Sequence, residues 1–228
     1  MKKTYKYFYL KWLIKIILSI FLIFIIILIS IKWINPPTTT VILAEKLSLD
    51  RKVVQEWRTI DEIGENIILS VLAAEDSNFC NHYGVDFAEI YKAKEKGFSR
   101  GASTITQQVS KNLFLWRNRS WFRKGLELII TMMIETLWSK KRILEVYLNI
   151  AETGNGYFGI QAISNVRFKK NSYQLTLREA SFIAVTLPNP KKRNAKKLTS
   201  ELKERAKSIR IGATTLRLEG RASCVIGS

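Results

Sequence analysis

The chain has 228 residues, which leaves room for one domain with a hydrophobic core and one appendage. Lysine and arginine outnumber aspartate and glutamate by 37 to 19, and the net charge of +18 predicts an anionic partner such as nucleic acid, anionic lipid or a phosphorylated substrate. A hydrophobic content of 47% excludes an intrinsically disordered chain.

A single apolar helix is predicted at the N-terminus. Residues 16–31 carry no charge, and with its flanks the span 12–34 is long enough to cross a bilayer. Trp12 and Trp33 stand where interfacial aromatic residues belong, and five lysines precede the uncharged stretch whereas one follows it closely. This asymmetry predicts a cytoplasmic tail at residues 1–11 and export of the remainder. A cleaved signal peptide is the alternative, but no small-x-small site follows the apolar stretch.

The rest of the chain is predicted to be mostly α. Residues 35–60 are interpreted as a linker, because Pro36 and Pro37 prevent continuation of the helix, and residues 41–43 indicate a short strand within it. Apolar residues at helical spacing then predict a domain over residues 61–190, followed by a basic C-terminal tail at 191–228. The predicted helices end at Glu75, begin at Ala102 or Ser103, and cover 121–137, 140–150 with Ser139 as N-cap, and 176–187 with a Thr176–Glu179 capping box.

The two cysteines and the only histidine suggest structural roles at most. Cys80 and Cys224 lie far apart and match no metal-ligand spacing. An exported domain permits a disulfide, but without a disulfide framework the sequence favours two unpaired thiols. His82 could orient Glu75 or a loop, or merely cap a turn, and a structural role is the favoured interpretation; one histidine with distant cysteines excludes a zinc site.

Two dense polar runs indicate a site for a polar substrate. The first contains the adjacent carboxylates Glu75 and Asp76. In the second, Ser103, Gln107 and Lys111 are spaced four apart, so a helix would place them on one face. A hydroxyl, an amide and an ammonium suit a substrate rich in hydroxyl and phosphate oxygens, whereas a solvated surface is the alternative.

A third segment combines cations with aromatic residues. Arg123 and Glu127 are four apart, which fits an ordinary ion pair within a helix. Lys111 and Arg123 could instead hold a pyrophosphate. Aromatic residues alternate with cations over residues 111–124, which indicates either a membrane interface or a core-packed helix end. A nucleic-acid surface would look similar, but an exported domain rarely meets DNA, so no nucleic-acid partner is expected.

Taken together, these segments resemble the monofunctional peptidoglycan glycosyltransferases, which also occur as the first domain of bifunctional penicillin-binding proteins. Two positions differ from the family pattern: Asn78 stands where an arginine is common in the first motif, and Arg167-Phe168 stands where a Tyr-Phe pair is usual. The resemblance implies a lysozyme-like α-helical fold with a small, mobile, membrane-proximal subdomain. Five motifs in order carry it: Glu75-Asp76-x-x-Phe79-x-x-His82-x-Gly84, the run Gly101 to Asn112, Arg123-Lys124-x-x-Glu127, the run Lys140 to Asn149, and a closing motif made of Gly159 to Ala162 and Leu177 to Pro190.

The resemblance also implies a reaction. A glycan chain on undecaprenyl pyrophosphate would be the donor and lipid II the acceptor, joined by an inverting β-1,4 transfer with Glu75 as general base, its pKa raised by desolvation and by Asp76. Lys111 and Arg123 would stabilise the leaving pyrophosphate. Glu127 would position them or bind a divalent cation, Mg²⁺ or Mn²⁺. Residues implied to bind substrate are Asp76, Ser103, Thr104, Gln107, Gln108, Asn112, Lys124 and Lys140.

The same resemblance places the catalytic domain on the outer face of the bacterial cytoplasmic membrane. It leaves open whether other cell-wall synthesis and division proteins join the enzyme. The nearest alternative is a lytic enzyme of lysozyme type with Glu75 as general acid, which would have no use for Lys111 and Arg123. A non-catalytic, membrane-anchored module is the second alternative, and it would have no use for the two glutamates. A fused transpeptidase is excluded by length.

Overall fold

The computed structural model describes residues 2–48, 52–95, 97, 103–193, 195 and 197–227, which form two compact units, Met1–Pro37 and Thr38–Ser228. The first unit consists of helix α1 (Lys2–Ile31). Its 23-residue stretch Tyr9–Ile31 has a mean hydropathy of 3.1, which fits a single membrane anchor. The stretch lies three residues earlier than predicted, because the helix ends before Asn35-Pro36.

The second unit is mostly helical, as predicted, with one small sheet. Strands β1 (Val54–Gln55), β2 (Glu152–Gly154) and β3 (Tyr157–Phe158) lie in the order β1-β3-β2. β3 is parallel to β1 and antiparallel to β2. The helices described are α2 (Thr40–Ser48), α3 (Glu65–Glu75), α4 (Phe87–Glu95), α5 (Ile105–Phe114), α6 (Trp121–Leu137), α7 (Lys140–Ile150), α8 (Ile160–Phe168), α9 (Leu177–Ala184) and α10 (Ser200–Leu218).

Capping residues set several of these boundaries. α6 and α7 cover the predicted residues, and the Ser139 hydroxyl accepts a hydrogen bond from the backbone N–H of Arg142 at 3.2 Å. The predicted Thr176–Glu179 capping box opens α9. The start of α5 differs from the prediction, because Thr104 rather than Ser103 or Ala102 is its N-cap. Gly101 and Ala102 lie outside the described residues.

The strand predicted at residues 41–43 is wrong, because this segment belongs to α2. The backbone N–H of Ile42 donates to the Thr39 hydroxyl at 3.1 Å, and Val41 and Ile42 are buried against Phe158. Tertiary burial here outweighs the strand preference of β-branched residues. The segments predicted to be a linker and a tail therefore supply α2 and α10 to the second unit.

Helices α3, α5 and α7 bring the motif segments together. α5 packs against both α6 and α7, while α3 packs against α9 and α10. α7 buries most of its length, including Ile143, Leu144 and Tyr147. The sequence of α5 has apolar residues on one side, and Ile105 and Val109 are fully buried. The second motif, on α5, thus lies against both the third motif on α6 and the fourth motif on α7.

The expectation of two unpaired cysteines is wrong, because Cys80 and Cys224 form a disulfide with a Cα–Cα distance of 5.7 Å. α10 runs back along α3, and the turn that follows it returns the chain to the loop after Glu75. Arg221 Nη2 also donates to the Ser77 carbonyl at 3.1 Å. The sequence separation of 144 residues hides this proximity.

We expect loss of this disulfide to destabilise the second unit. Closing so long a loop restricts the unfolded chain, so replacing both cysteines with serine should lower the free energy of unfolding by about 2–4 kcal/mol. Urea denaturation with and without a reductant measures this loss. The double-serine variant is the control and should not respond to reductant. Identical denaturation curves for the oxidised and reduced wild type would contradict the expectation.

Candidate active site

Glu75 lies at the last position of α3, half-buried and hydrogen-bonded to α5. Gln108 Nε2 donates to Glu75 Oε2 at 2.8 Å, and the Tyr147 hydroxyl donates to Gln108 Oε1 at 3.4 Å. Burial, followed by the charges of Glu75 and Asp76, raises the pKa of Tyr147 well above its usual value. Tyr147 therefore stays protonated and keeps donating to Gln108, which fixes the amide that holds Glu75.

Asp76 is buried and fixes the end of α3 against the start of α5. Its Oδ1 lies 2.9 Å from His82 Nε2, and its Oδ2 accepts from the backbone N–H of Ile105 at 2.9 Å. His82 therefore has a structural role, with Asp76 as its partner. Both carboxylate oxygens of Asp76 contact protein groups, and its contact with substrate stays a prediction.

Thr104, Gln107 and Lys140 also form hydrogen bonds within the protein, and their contacts with substrate stay predictions. Thr104 and Gln107 form the capping box of α5, and the Thr104 hydroxyl donates to the Gly84 carbonyl at 2.7 Å. Lys140 Nζ donates to the His82 carbonyl at 2.7 Å and to Glu135 at 2.9 Å. These three side chains stabilise the loops that carry the motifs.

A buried charge cluster surrounds Glu127 on α6. Its two carboxylate oxygens each lie 2.5 Å from a cation, Arg123 Nη1 on one side and Lys124 Nζ on the other. Arg123 Nε also donates to the Asn118 carbonyl at 3.1 Å, and Lys124 Nζ donates to Ser103 at 3.3 Å. The Arg123–Glu127 pair is thus the ion pair that its spacing predicts, but a buried one.

The Lys111 ammonium belongs to the same electrostatic environment. Burial lowers the pKa of Lys111, the charge of Glu127 opposes that shift, and Arg123, Lys124 and Arg117 lower it further. Three cations and one carboxylate therefore contribute to the electrostatic field at Lys111. Such a cluster is stabilised when an anion binds between them.

Glu127 does not fit the proposed role of a metal ligand. Both of its oxygens are engaged by cations, and the described residues contain no group of three or more His, Cys, Asp or Glu side chains that could hold a metal ion. We therefore derive no step of the reaction through a divalent cation.

A cavity of about 250 Å³ opens beside these groups. The predicted residues Gln108, Lys111 and Asn112 line it, so the structure places part of the predicted site on one surface. Glu75 is not a lining residue, but it accepts a hydrogen bond from Gln108, which lines the cavity. The other lining residues are Val41, Arg117, Tyr147, Ala151, Glu152, Leu187, Pro188 and Pro190.

Sequence reasoning missed an ion network at one end of the cavity. Arg117 Nη2 lies 3.0 Å from Glu45 and 2.9 Å from Glu152, and Lys191 Nζ lies 2.7 Å from Glu45. Burial raises the pKa of Glu152, against the opposing charges of Arg117 and Lys191. No spacing rule links these four residues, since they come from four distant segments. Tyr147 is different, because it falls within the fourth motif and could have been assigned from there.

Comparison with known proteins shows the family to which the chain is similar. A family model described as Transglycosylase matches residues 42–212. The chain is 40% identical over 214 residues to the biosynthetic peptidoglycan transglycosylase of Jannaschia sp. (strain CCS1), covering 94% of this chain and 89% of that protein. It is 46% identical over 188 residues to the protein of that name from Marinomonas sp. (strain MWYL1), covering 81% and 82%, and 52% identical over 149 residues to that from Mannheimia succiniciproducens, covering 64% and 61%.

The chain therefore belongs to the transglycosylase family. It is a peptidoglycan glycosyltransferase, an enzyme that polymerises the glycan chains of the bacterial cell wall.

Proposed function

We propose that the enzyme polymerises lipid II into β-1,4-linked glycan strands, with Glu75 as general base and undecaprenyl pyrophosphate as leaving group. The observation that carries this proposal is the hydrogen bond between Glu75 and Gln108, whose side chain lines a cavity together with Lys111. A carboxylate and an ammonium are thereby present at one site, as a transfer with an anionic leaving group requires.

The proposed reaction is a single displacement. The 4-hydroxyl of the acceptor gives its proton to Glu75 as its oxygen attacks the anomeric carbon of the donor. The bond from that carbon to the pyrophosphate oxygen breaks, and the electron pair leaves with the pyrophosphate. Lys111 stabilises the charge that develops there, and the cations Arg123 and Lys124, held by Glu127, add to the local positive field. Ser103, Gln108 and Asn112 are the proposed contacts for sugar and phosphate oxygens.

The cation cluster favours synthesis over hydrolysis. A lytic enzyme that cleaves a neutral glycan releases no phosphate, so it has no use for the cations gathered around Lys111. A non-catalytic module has no use for a half-buried glutamate held by a fixed amide. The lytic alternative thus leaves the cations around Lys111 unexplained, and the non-catalytic alternative leaves Glu75 unexplained.

We propose that α1 anchors the enzyme in the cytoplasmic membrane with its N-terminus inside and the second unit outside. The lysine asymmetry around the apolar stretch supports this orientation. The disulfide Cys80–Cys224 supports it independently, because disulfides persist in oxidising compartments outside the cytoplasm. Partnership with other cell-wall synthesis and division proteins, and the mobile subdomain, stay predictions.

We further propose that the second unit contacts the bilayer directly through an α6 apolar surface, formed by Trp121, Phe122, Leu128 and Ile129. Trp121 and Leu128 are seven residues apart, as are Phe122 and Ile129, so each pair lies along one side of the helix. Trp121 is 93% exposed and Phe122 is 72% exposed, so these aromatic residues do not pack in the core. Exposed aromatic residues beside cations are typical of membrane-interface helices.

Truncation tests this contact. A variant without residues 1–34 should still float with liposomes that contain anionic lipid, because each basic residue near the surface contributes about 1 kcal/mol and the aromatic residues add to it. Trp121→Ser combined with Phe122→Ser should greatly reduce flotation. Tyr173→Ser is the matched control, since Tyr173 is a 70% exposed aromatic residue outside this surface. Equal flotation of all three proteins would refute a role for α6.

The stereochemistry of the product tests the proposed displacement. The anomeric configuration of the newly formed bonds can be read by NMR and by digestion with a muramidase specific for β-1,4 linkages. We expect complete digestion and stoichiometric release of undecaprenyl pyrophosphate. A product with retained configuration would contradict a single displacement with Glu75 as base.

A further inference from the structure

The Cys80–Cys224 disulfide joins the first motif to a part of the chain that no motif covers. Cys80 lies five residues after Glu75, between Phe79 and His82 of that motif. Cys224 lies beyond residue 212, where the match to the family model ends. The five motifs therefore do not account for this bond.

The loop at residues 76–84, which follows α3, is held on one side by α5. Asp76 Oδ2 accepts a hydrogen bond from the backbone N–H of Ile105 at 2.9 Å, and the Gly84 carbonyl accepts one from the Thr104 hydroxyl at 2.7 Å. Both ends of the 76–84 loop therefore contact the start of α5, the helix that lines the cavity of the candidate site.

The C-terminal turn, residues 219–226, holds the other side of this loop. Cys224 is bonded to Cys80 near the middle of the loop, and Arg221 Nη2 donates to the Ser77 carbonyl at 3.1 Å. Only the disulfide is a covalent connection. Its opening leaves one exposed hydrogen bond between the turn and the loop among the bonds of the described residues.

The same C-terminal segment also supports the helix that precedes Glu75. At Gly212, α10 comes so near to α3 that an added Cβ would lie 3.2 Å from the Cβ of Ala73. Ala73 is two residues before Glu75, and Cys80 is five residues after it. Glu75 thus lies between two points that the C-terminal segment holds, one by packing and the other by a disulfide.

The disulfide lies near the surface. Cys80 and Cys224 are half-buried, and their neighbours Asn81 and Ser223 are exposed. A small dithiol can therefore reach the sulfur atoms, and accessible disulfides are the ones that exchange most readily. The sequence contains no other cysteine, so a response of the enzyme to a dithiol reports on this bond alone.

We propose that the Cys80–Cys224 disulfide is a redox-sensitive switch that sets the rate of polymerisation by holding the 76–84 loop beside Glu75. The inference rests on the proposed function, since it takes Glu75 as the general base. A thiolate of a dithiol reductant attacks one sulfur, the S–S bond breaks, and the second thiol of the reductant resolves the mixed disulfide. Two electrons and two protons pass from the dithiol, which becomes a disulfide, to the two cysteines, which become thiols.

The switch ties the activity of the enzyme to its compartment. Thiols are kept reduced in the cytoplasm, whereas disulfides persist outside it. The chain therefore reaches its full activity only after the second unit has been exported, and a dithiol reductant outside the cytoplasm lowers that activity again. Reduction frees one side of the 76–84 loop, so Glu75 spends less time in the position from which it accepts the proton.

Initial rates of the full-length enzyme in detergent micelles, before and after treatment with dithiothreitol, test the switch. Circular dichroism identifies a temperature at which both forms are folded, and thiol labelling followed by mass spectrometry confirms complete reduction. We expect kcat to fall about tenfold while KM for lipid II stays nearly unchanged, because a small displacement of the base costs much of the rate. Reoxidation should restore kcat.

Two outcomes of this comparison overturn the proposal. The first is an unchanged kcat in the fully reduced, folded enzyme. The second is global unfolding of the reduced enzyme at every temperature tested, since the disulfide would then only maintain the fold.

The combined variant Cys80→Ser, Cys224→Ser is the matched control. It should polymerise lipid II at the rate of the reduced wild type and should not respond to dithiothreitol. A double-serine enzyme as fast as the oxidised wild type would refute the switch. The wild-type comparison needs no substitution, so it stands by itself if this variant does not fold.

Hydrogen exchange locates the effect. Reduction should accelerate amide exchange in residues 76–84 and leave the exchange of α7 unchanged, because the released contacts belong to the loop. Equal exchange of the loop in both forms would overturn the mechanism of the switch.

These measurements separate the inference from the proposed function. A wild type that polymerises equally well when oxidised and when reduced refutes the switch alone. A Glu75→Gln enzyme that keeps the wild-type rate, beside a wild type that slows on reduction, refutes only the proposed role of Glu75.

Discussion

Replacing Glu75 with glutamine is expected to lower the rate of lipid II polymerisation by about 10²–10⁴-fold. The amide has nearly the same size and can still accept the hydrogen bond from Gln108, so the fold should persist. It cannot accept the proton of the attacking hydroxyl at neutral pH. The measurement is the initial rate with labelled lipid II, together with the unfolding temperature of the variant.

Glu65→Gln is the matched control for this change. Glu65 lies at the other end of α3, is exposed, and pairs with Arg217 at 2.7 Å on the surface. Its replacement should leave the polymerisation rate unchanged, because exposed pairs contribute little. Near-normal turnover of Glu75→Gln would remove Glu75 from the proposed mechanism.

Replacing Lys111 with alanine is expected to lower the polymerisation rate by about 10²–10³-fold, the size of effect found when one preorganised group that stabilises developing charge is lost. The loss should appear mainly in kcat, because the charge on the pyrophosphate increases as the bond breaks. Lys111→Arg keeps a cation at this position and should retain part of the rate. A wild-type rate in Lys111→Ala would favour the lytic alternative.

The pH dependence gives a second readout for Lys111. Burial, and further the neighbouring cations, lower its pKa, so the ammonium loses its proton at a lower pH than an ordinary lysine. The rate should therefore decline on the alkaline side earlier than a lysine of usual pKa would allow. Arginine stays protonated throughout, so Lys111→Arg should shift this decline to higher pH.

Much of the fold could be predicted from the sequence because its signals are local. The Ser139 N-cap and the Thr176–Glu179 capping box act within four residues, and they mark the starts of α7 and α9. The strand wrongly predicted at 41–43 shows the limit. Val41 and Ile42 suit a strand locally, but their burial against Phe158, more than 100 residues away, stabilises a helix instead.

The candidate site shows the same division between local signals, which the sequence reveals, and long-range packing, which it does not. Motif residues identified Gln108, Lys111 and Asn112, which line one cavity. Motifs do not show which bonds a polar side chain makes within the protein, and Gln107, which is predicted to contact substrate, also forms the capping box of its own helix. The Cys80–Cys224 disulfide was missed for a related reason, because it depends on how α10 packs along α3.

The central claim is that the enzyme polymerises a lipid-linked glycan at the cavity beside Glu75. Incubation of the purified full-length enzyme with lipid II, followed by gel separation of the glycan products, tests it most directly. A parallel incubation with finished peptidoglycan serves as the comparison. We expect long strands that accumulate from lipid II and no fragments released from the finished polymer. Release of soluble fragments from peptidoglycan, with lipid II left unpolymerised, would contradict the account.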